Sequence, residues 1–239
     1  MRYPMRYLGL FVLVLGAGLT SCAPPATTLV SEYAGRTTGG TLVIAPFNPD
    51  HRLDVPRLPD EDLPDAERRY AQFLRLALAR EIQRQTRFDR VLVDDYAGAP
   101  TLEMQRFNQR RYDDNRLRVQ QGRDFPVASP LPGQSVRMES GTPEFVLFFG
   151  DTEIEAVRGE LLPGTIEMPH RMAFLLWNNE TGEPILFNQT RRSLILRVEP
   201  LPQGTPLDEQ MARSRYLEGL TEFVQAMLGN SPFHVSSAR

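Results

Sequence analysis

The sequence predicts an α/β fold: a small mixed, antiparallel-rich sheet carrying two main amphipathic helices. Three observations predict it. A β-branched apolar run, Thr41 to Phe47, precedes a long amphipathic stretch and a second apolar run, Arg90 to Asp94, which is the order of a βαβ unit. The second half holds three strand-like runs, the last two joined by a polar turn at Asn178–Gly182. A second amphipathic stretch closes the chain before Gly229 and Pro232.

The chain begins with a segment that is not part of this domain. Arg2 and Arg6 give residues 1–21 a positive start, Leu8 to Leu19 is an apolar core, and small residues follow. The core is shorter than the roughly 20 apolar residues a bilayer-spanning helix needs. It ends in Leu19-Thr20-Ser21-Cys22, the pattern of a lipoprotein signal peptide, and Cys22 is the only cysteine in 239 residues. Residues 1–21 are therefore expected to be removed and Cys22 to carry a diacylglyceryl group and further acyl chains such as palmitate. One acyl chain binds a membrane marginally, whereas two or three hold it essentially permanently. Ala23 in place of aspartate fits sorting to the outer membrane, facing the periplasm.

Residues 22–40 are small, polar and rich in Pro and Gly, and read as a lipidated cysteine on a flexible tether with a mean span of about 25 Å. A single domain is expected over 41–229, with a tail at 230–239. Thr41–Phe47 is its first strand. The first helix runs from about Asp65 to Gln85, where Tyr70, Phe73, Leu74, Ala77, Leu78 and Ile82 recur at helical spacing and arginines fill much of the remainder. Residues 95–143 read as an irregular insert. Its first part, 101–121, is polar and rich in Arg and Gln, and is read as a poorly amphipathic helix, and 122–143 is a Pro/Gly-rich loop. Glu144–Val157 is a strand interrupted at Gly150, a candidate bulge. Ile166–Trp177 places Met172, Phe174 and Leu176 on one face and Ala173, Leu175 and Trp177 on the other. Pro184–Val198 is its hairpin partner. A last helix is expected from Pro206 to Leu228, with Thr205 as N-cap and Met211, Leu217, Leu220, Phe223, Val224, Met227 and Leu228 on its apolar face.

Composition excludes several functions. The net charge is −3, and loss of Arg2 and Arg6 takes it to −5. No basic stripe survives for nucleic acid. All 27 basic residues are arginine, so no lysine is present to form a Schiff base or act as a general base. With Cys22 alone, no intrachain disulfide forms, and stability must come from a hydrophobic core. His51, His170 and His234 are scattered without metal-ligand spacing. No nucleophile elbow, phosphate loop or dinucleotide fingerprint appears, so neither a catalytic centre nor a cofactor is expected. Asp94 ends a strand at a place where α/β folds bind ligands, although a strand-end turn is the favoured account of it. Arg106, Arg110 and Arg111, interleaved with aromatic residues, are a candidate binding surface, and Trp177 beside the hairpin turn is a candidate contact anchor.

The strand Phe145-Val146-Leu147-Phe148-Phe149-Gly150 and the turn Asn178-Asn179-Glu180-Thr181-Gly182-Glu183, following the early strand–helix–strand unit, resemble motifs of a family. It is the small α/β domain of bacterial envelope lipoproteins related to the curli-secretion channel protein, shared by penicillin-binding-protein activator and flagellar lipoproteins. The resemblance implies a protein that acts by binding and oligomerising, without a catalytic centre. The expected function is thus a non-catalytic accessory role in an envelope system such as secretion, surface-polymer export, the flagellum or cell-wall synthesis. The expected partners are the membrane, through the lipid, an envelope protein and further copies of the chain. The alternatives are an outer-membrane ring or channel subunit, whose spanning strands would have to come from the 166–198 hairpin, and a cell-wall or glycan hydrolase, which would need two converging carboxylates.

Overall fold

In a computed structural model the described residues are 28–29, 39–47, 52–53, 55, 62–107, 125–155, 157–158, 165–197, 216–229 and 231–235. They form β1 (Thr28–Leu29), β2 (Thr41–Ile44), β3 (Arg52–Leu53), α1 (Leu63–Gln85), β4 (Arg90–Val93), β5 (Glu103–Phe107), β6 (Phe125–Ser129), β7 (Phe145–Ile154), β8 (Val157–Arg158), β9 (Thr165–Asn178), β10 (Glu183–Arg197) and α2 (Tyr216–Leu228). The fold is the expected mixed α/β one. The main sheet runs β1-β10-β9-β7-β2-β4, with β3 and β8 on the flanks, and β5 and β6 form a separate two-stranded sheet.

The βαβ reading holds: β2 and β4 pair in parallel, Thr41 opposite Arg90, with α1 between them in the chain. β2 also pairs in parallel with β7, while β7–β9 and β9–β10 are antiparallel. β7 slips register between Phe149 and Thr152, where the sequence places Gly150. The β9–β10 turn is fixed by Asn178, whose side-chain oxygen accepts from the backbone N–H groups of Glu180 (3.0 Å) and Thr181 (3.2 Å). Gly182 closes it at φ +70°, a conformation in which a Cβ is strained.

Helix α1 starts where Asp62 accepts from the Asp65 N–H (2.8 Å) and stops at Thr86, whose hydroxyl donates to the Ile82 carbonyl (2.7 Å). It packs Tyr70, Leu74, Leu78 and Ile82 with α2 against the sheet face carrying Leu42, Ile44, Phe174 and Leu176. The opposite face, carrying Val43, Val146, Leu175 and Trp177, is covered by Phe107 and Phe125 of the small sheet and by Val136 and Met138. The sheet is therefore buried on both sides, and its strands read as nearly continuous apolar runs for that reason.

Several expectations are corrected. The stretch 101–121, read as a helix, contains strand β5, and the stretch read as an irregular loop contains β6. Within the expected tether, Thr28–Leu29 is paired with Phe187 and Leu186 of β10. The expected tail is anchored: Phe233 is buried and stacks on Phe88 at 4.5 Å, and His234 bridges to Thr86. Leu217, placed on the apolar face of the last helix, is 38% exposed, and Tyr216 takes the buried position instead. Thr205, Pro206 and Met211 lie outside the described residues.

The exposed edge at β4 is blunted. Gln83 accepts from the outward Val91 N–H (2.7 Å) and donates to the Phe88 carbonyl (2.8 Å). Such a plug discourages edge-to-edge pairing. Gln83→Ala is expected to cost about 1 kcal/mol in chemical denaturation and to increase self-association measured by light scattering.

Candidate functional site

A cleft opens at the carboxyl ends of the parallel strands. The chain leaves β2 for α1, which covers one sheet face, and leaves its neighbour β4 for β5, which covers the other. Adjacent parallel strands whose connections depart to opposite faces leave a crevice beyond their carboxyl ends. Here the crevice is about 440 Å³, within the ordinary range for ligand sites. The segment after β2 contributes Pro46 and Phe47, and the segment after β4 contributes Tyr96, Pro100 and Leu102. Met104 of β5 and Ala128 of β6 form a wall, and Phe148 and Phe149 of β7 form the floor. That floor is available because β2 pairs with β7 only as far as Leu147, and β3 resumes at Glu153. Phe47 packs on Phe149 with ring centroids 4.7 Å apart.

A charged cluster sits at the strand ends, where Asp95 immediately precedes the cleft residue Tyr96 in the chain. Arg75 of α1 is 6% exposed and reaches across the strand ends. Its Nη1 donates to Asp95 Oδ1 (3.0 Å), and its Nη2 donates to the carbonyls of Ile44 (3.1 Å) and Asp94 (2.5 Å), so one guanidinium ties the end of β2 to the end of β4. Its buried Nε has no hydrogen-bond partner. The Asp95 side chain is 65% exposed. Asp94 is held by three bonds: it accepts from the Ser140 N–H (2.8 Å) and hydroxyl (2.5 Å) and from the Asp95 N–H (2.9 Å). Burial opposes its ionisation, but the Ser140 bonds outweigh burial and hold the carboxyl below its ordinary value. Asp94 therefore fastens a turn. Burial pushes the Tyr96 phenol well up, and the charges of Arg75 and Asp95 both act on it.

A second polar cluster is sealed between the helices and the sheet. Tyr70, His170 and Tyr216 are all 0% exposed. His170 Nδ1 lies 2.7 Å from the Met168 carbonyl, which can only accept, so Nδ1 carries the proton. Nε2 then accepts from the Tyr70 hydroxyl (2.8 Å), which in turn accepts from Tyr216 (2.7 Å). Burial pulls the imidazole down to about 4, against the Met168 carbonyl, and pushes both phenols up. The cluster is closed to solvent and joins α1, α2 and β9; its part is structural.

The residues singled out from sequence are scattered. Arg106 is an exposed residue of β5, and Arg110 and Arg111 lie outside the described residues. Trp177 is fully buried in the core, its Nε1 donating to the Gln134 carbonyl (3.3 Å), so it is no contact anchor. Leu19, Thr20, Ser21, Cys22 and His51 lie outside the described residues. Among the described residues no group of His, Cys, Asp and Glu is arranged to hold a metal, and no helix is long and apolar enough to cross a membrane. In the 166–198 hairpin, residues 172–177 are buried, their side chains pointing into the two cores. Arg75 was missed among the arginines of α1, although it shares a face with Leu78, Ala79 and Ile82 at helical spacing.

No protein-family profile matches this sequence, and no curated protein does. Solved structures give remote likenesses. The PelC dodecamer from Paraburkholderia phytofirmans is 10% identical over 79% of this chain and 87% of that one, with a TM-score of 0.33. The hypothetical protein CT253 from Chlamydia trachomatis is 13% identical over 81% of this chain and 100% of that one, with a TM-score of 0.38. Likenesses of this degree carry no argument about activity or partners. The fold and cleft define an α/β domain with a crevice at the carboxyl ends of its parallel strands.

Proposed function

We propose that this chain is a lipid-anchored, non-catalytic accessory protein of a bacterial envelope, held at the periplasmic side of the outer membrane and acting by binding a protein partner. The observation that carries the reading is the Leu19-Thr20-Ser21-Cys22 motif, with its sole cysteine at the end of a short apolar core. The pairing of β1 with β10 adds a distance. Only residues 23–27 separate Cys22 from Thr28, and so short a stretch spans at most about 20 Å. The lipid would hold the β10 edge of the domain close to the bilayer, nearer than a free tether to Gly40 would.

Palmitate labelling in the producing cell tests this. The natural chain is expected to take up label and sediment with membranes, and Cys22→Ser to lose the label and become extractable without detergent. Label retained in Cys22→Ser would refute the anchor. Purified chain that turned over an envelope substrate, with activity lost on changing one polar residue, would refute the non-catalytic role.

A further inference from the structure

We infer that the cleft at the carboxyl ends of β2 and β4 is a peptide-docking site that takes an aromatic or large aliphatic side chain flanked by arginine or lysine. It deepens the protein-binding reading above and rests on it only for the choice of a protein ligand.

The apolar half of the argument is the lining. Phe47, Tyr96, Met104, Phe148 and Phe149 meet around a space that fits one or two side chains, and Met104 stands 55% exposed at the mouth. A flexible thioether beside aromatic rings adapts to apolar side chains of varied shape. The walls come from three separate elements, the segments after β2 and β4 and the small sheet, so the crevice is a product of the topology and not a gap in packing.

The polar half is the charge at one end. Arg75, Asp94 and Asp95 together carry one net negative charge at neutral pH. Asp94 accepts three hydrogen bonds from its own turn, two from Ser140 and one from the Asp95 N–H, and is the less open of the two carboxylates. Asp95 spends one oxygen on Arg75, and its carboxylate is otherwise presented to solvent. The open Asp95 carboxylate, one residue before the cleft-lining Tyr96, thus calls for a donor carrying positive charge. A guanidinium or ammonium following the buried side chain meets that requirement, and an acidic residue there is repelled.

Panning a random peptide library on phage against the purified full chain tests the inference. The enriched peptides are expected to pair an aromatic or aliphatic residue with Arg or Lys. Their binding should fall at least about tenfold on Met104→Arg, which fills the mouth with a cation, and be unchanged on Leu76→Arg, a substitution at an equally exposed position on α1. Asp95→Asn should lower binding a few-fold and remove the preference for basic over acidic variants of the same peptide. No enrichment, enriched acidic peptides, or binding indifferent to Met104→Arg would each overturn the site. Panning does not involve the lipid, so its failure is separate from failure of the Cys22 anchor.

Discussion

Lowering the pH from 7 to 4 is expected to cost the fold about 3 kcal/mol through one side chain, His170. The ring is sealed between α1, α2 and β9, and burial holds it neutral, with a pKa of about 4 in place of 6.5. Between those two values the unfolded chain binds a proton that the folded chain refuses, so stability is complete above pH 6.5 and falls as the pH drops towards 4. A pKa moved by that much is worth about 3 kcal/mol. Protonation has a structural meaning as well. A proton on Nε2 would force Tyr70 to accept where it now donates, reversing the hydrogen-bond order of the cluster. Asp94 and Glu81, whose folded values are lowered, contribute stability that is lost only as the pH falls below the ordinary carboxylate range, so their window lies beneath that of His170. Urea midpoints of the natural chain and of His170→Gln at pH 7, 5.5 and 4.5 separate the two. The substitution is expected to flatten the slope between pH 6.5 and 4.5. An unchanged slope would place the acid sensitivity elsewhere.

That cluster also marks where sequence reading stops. The main sheet was legible because its strands are buried on both faces: Phe145–Phe149, Met172–Trp177 and Ile185–Phe187 form apolar runs that fit nothing but a core. Helix α1 was legible because one face is packed and the rest exposed. What pairs across the chain was not. Tyr70 and His170 are 100 residues apart and Tyr70 and Tyr216 are 146 apart, and no local pattern distinguishes a buried tyrosine that completes a network from one that fills space. Strand β5 was hidden for another reason. Glu103-Met104-Gln105-Arg106-Phe107 packs only Phe107 deeply, so its alternation is carried by a single apolar residue, and Arg and Gln favour a helix when packing is ignored. The cleft depends on both omissions, since its wall is β5–β6 and its rim is held by Arg75. The Asp94 position was found by a rule about strand ends; the same rule, applied to the structure, moves the open carboxylate one residue on, to Asp95.

Gly150→Ala is expected to cost about 3 kcal/mol and to lower the melting temperature by about 9 °C. A Cβ at this position would stand 2.1 Å from the Pro126 carbonyl oxygen, 2.8 Å from Val127 Cγ2 and 3.1 Å from Ala173 Cβ. The first of these is backbone and cannot rotate away, so β6 must lift from β7. Glycine is there because the small sheet crosses the main sheet at that point with no room for a side chain. The register slip between Phe149 and Thr152 sits at the same crossing, so the bulge expected from sequence and the close approach are one feature. Lifting β6 withdraws Phe125 and Val127 from the core and displaces Ala128 and Met104, the cleft wall. Hydrogen exchange is therefore expected to quicken at the β5 and β6 amides before it changes in α1, and peptide binding is expected to fall with it. Exchange that rose equally in both elements would mean that the small sheet and the main sheet unfold as one unit, and that Gly150 serves the whole core and not the cleft.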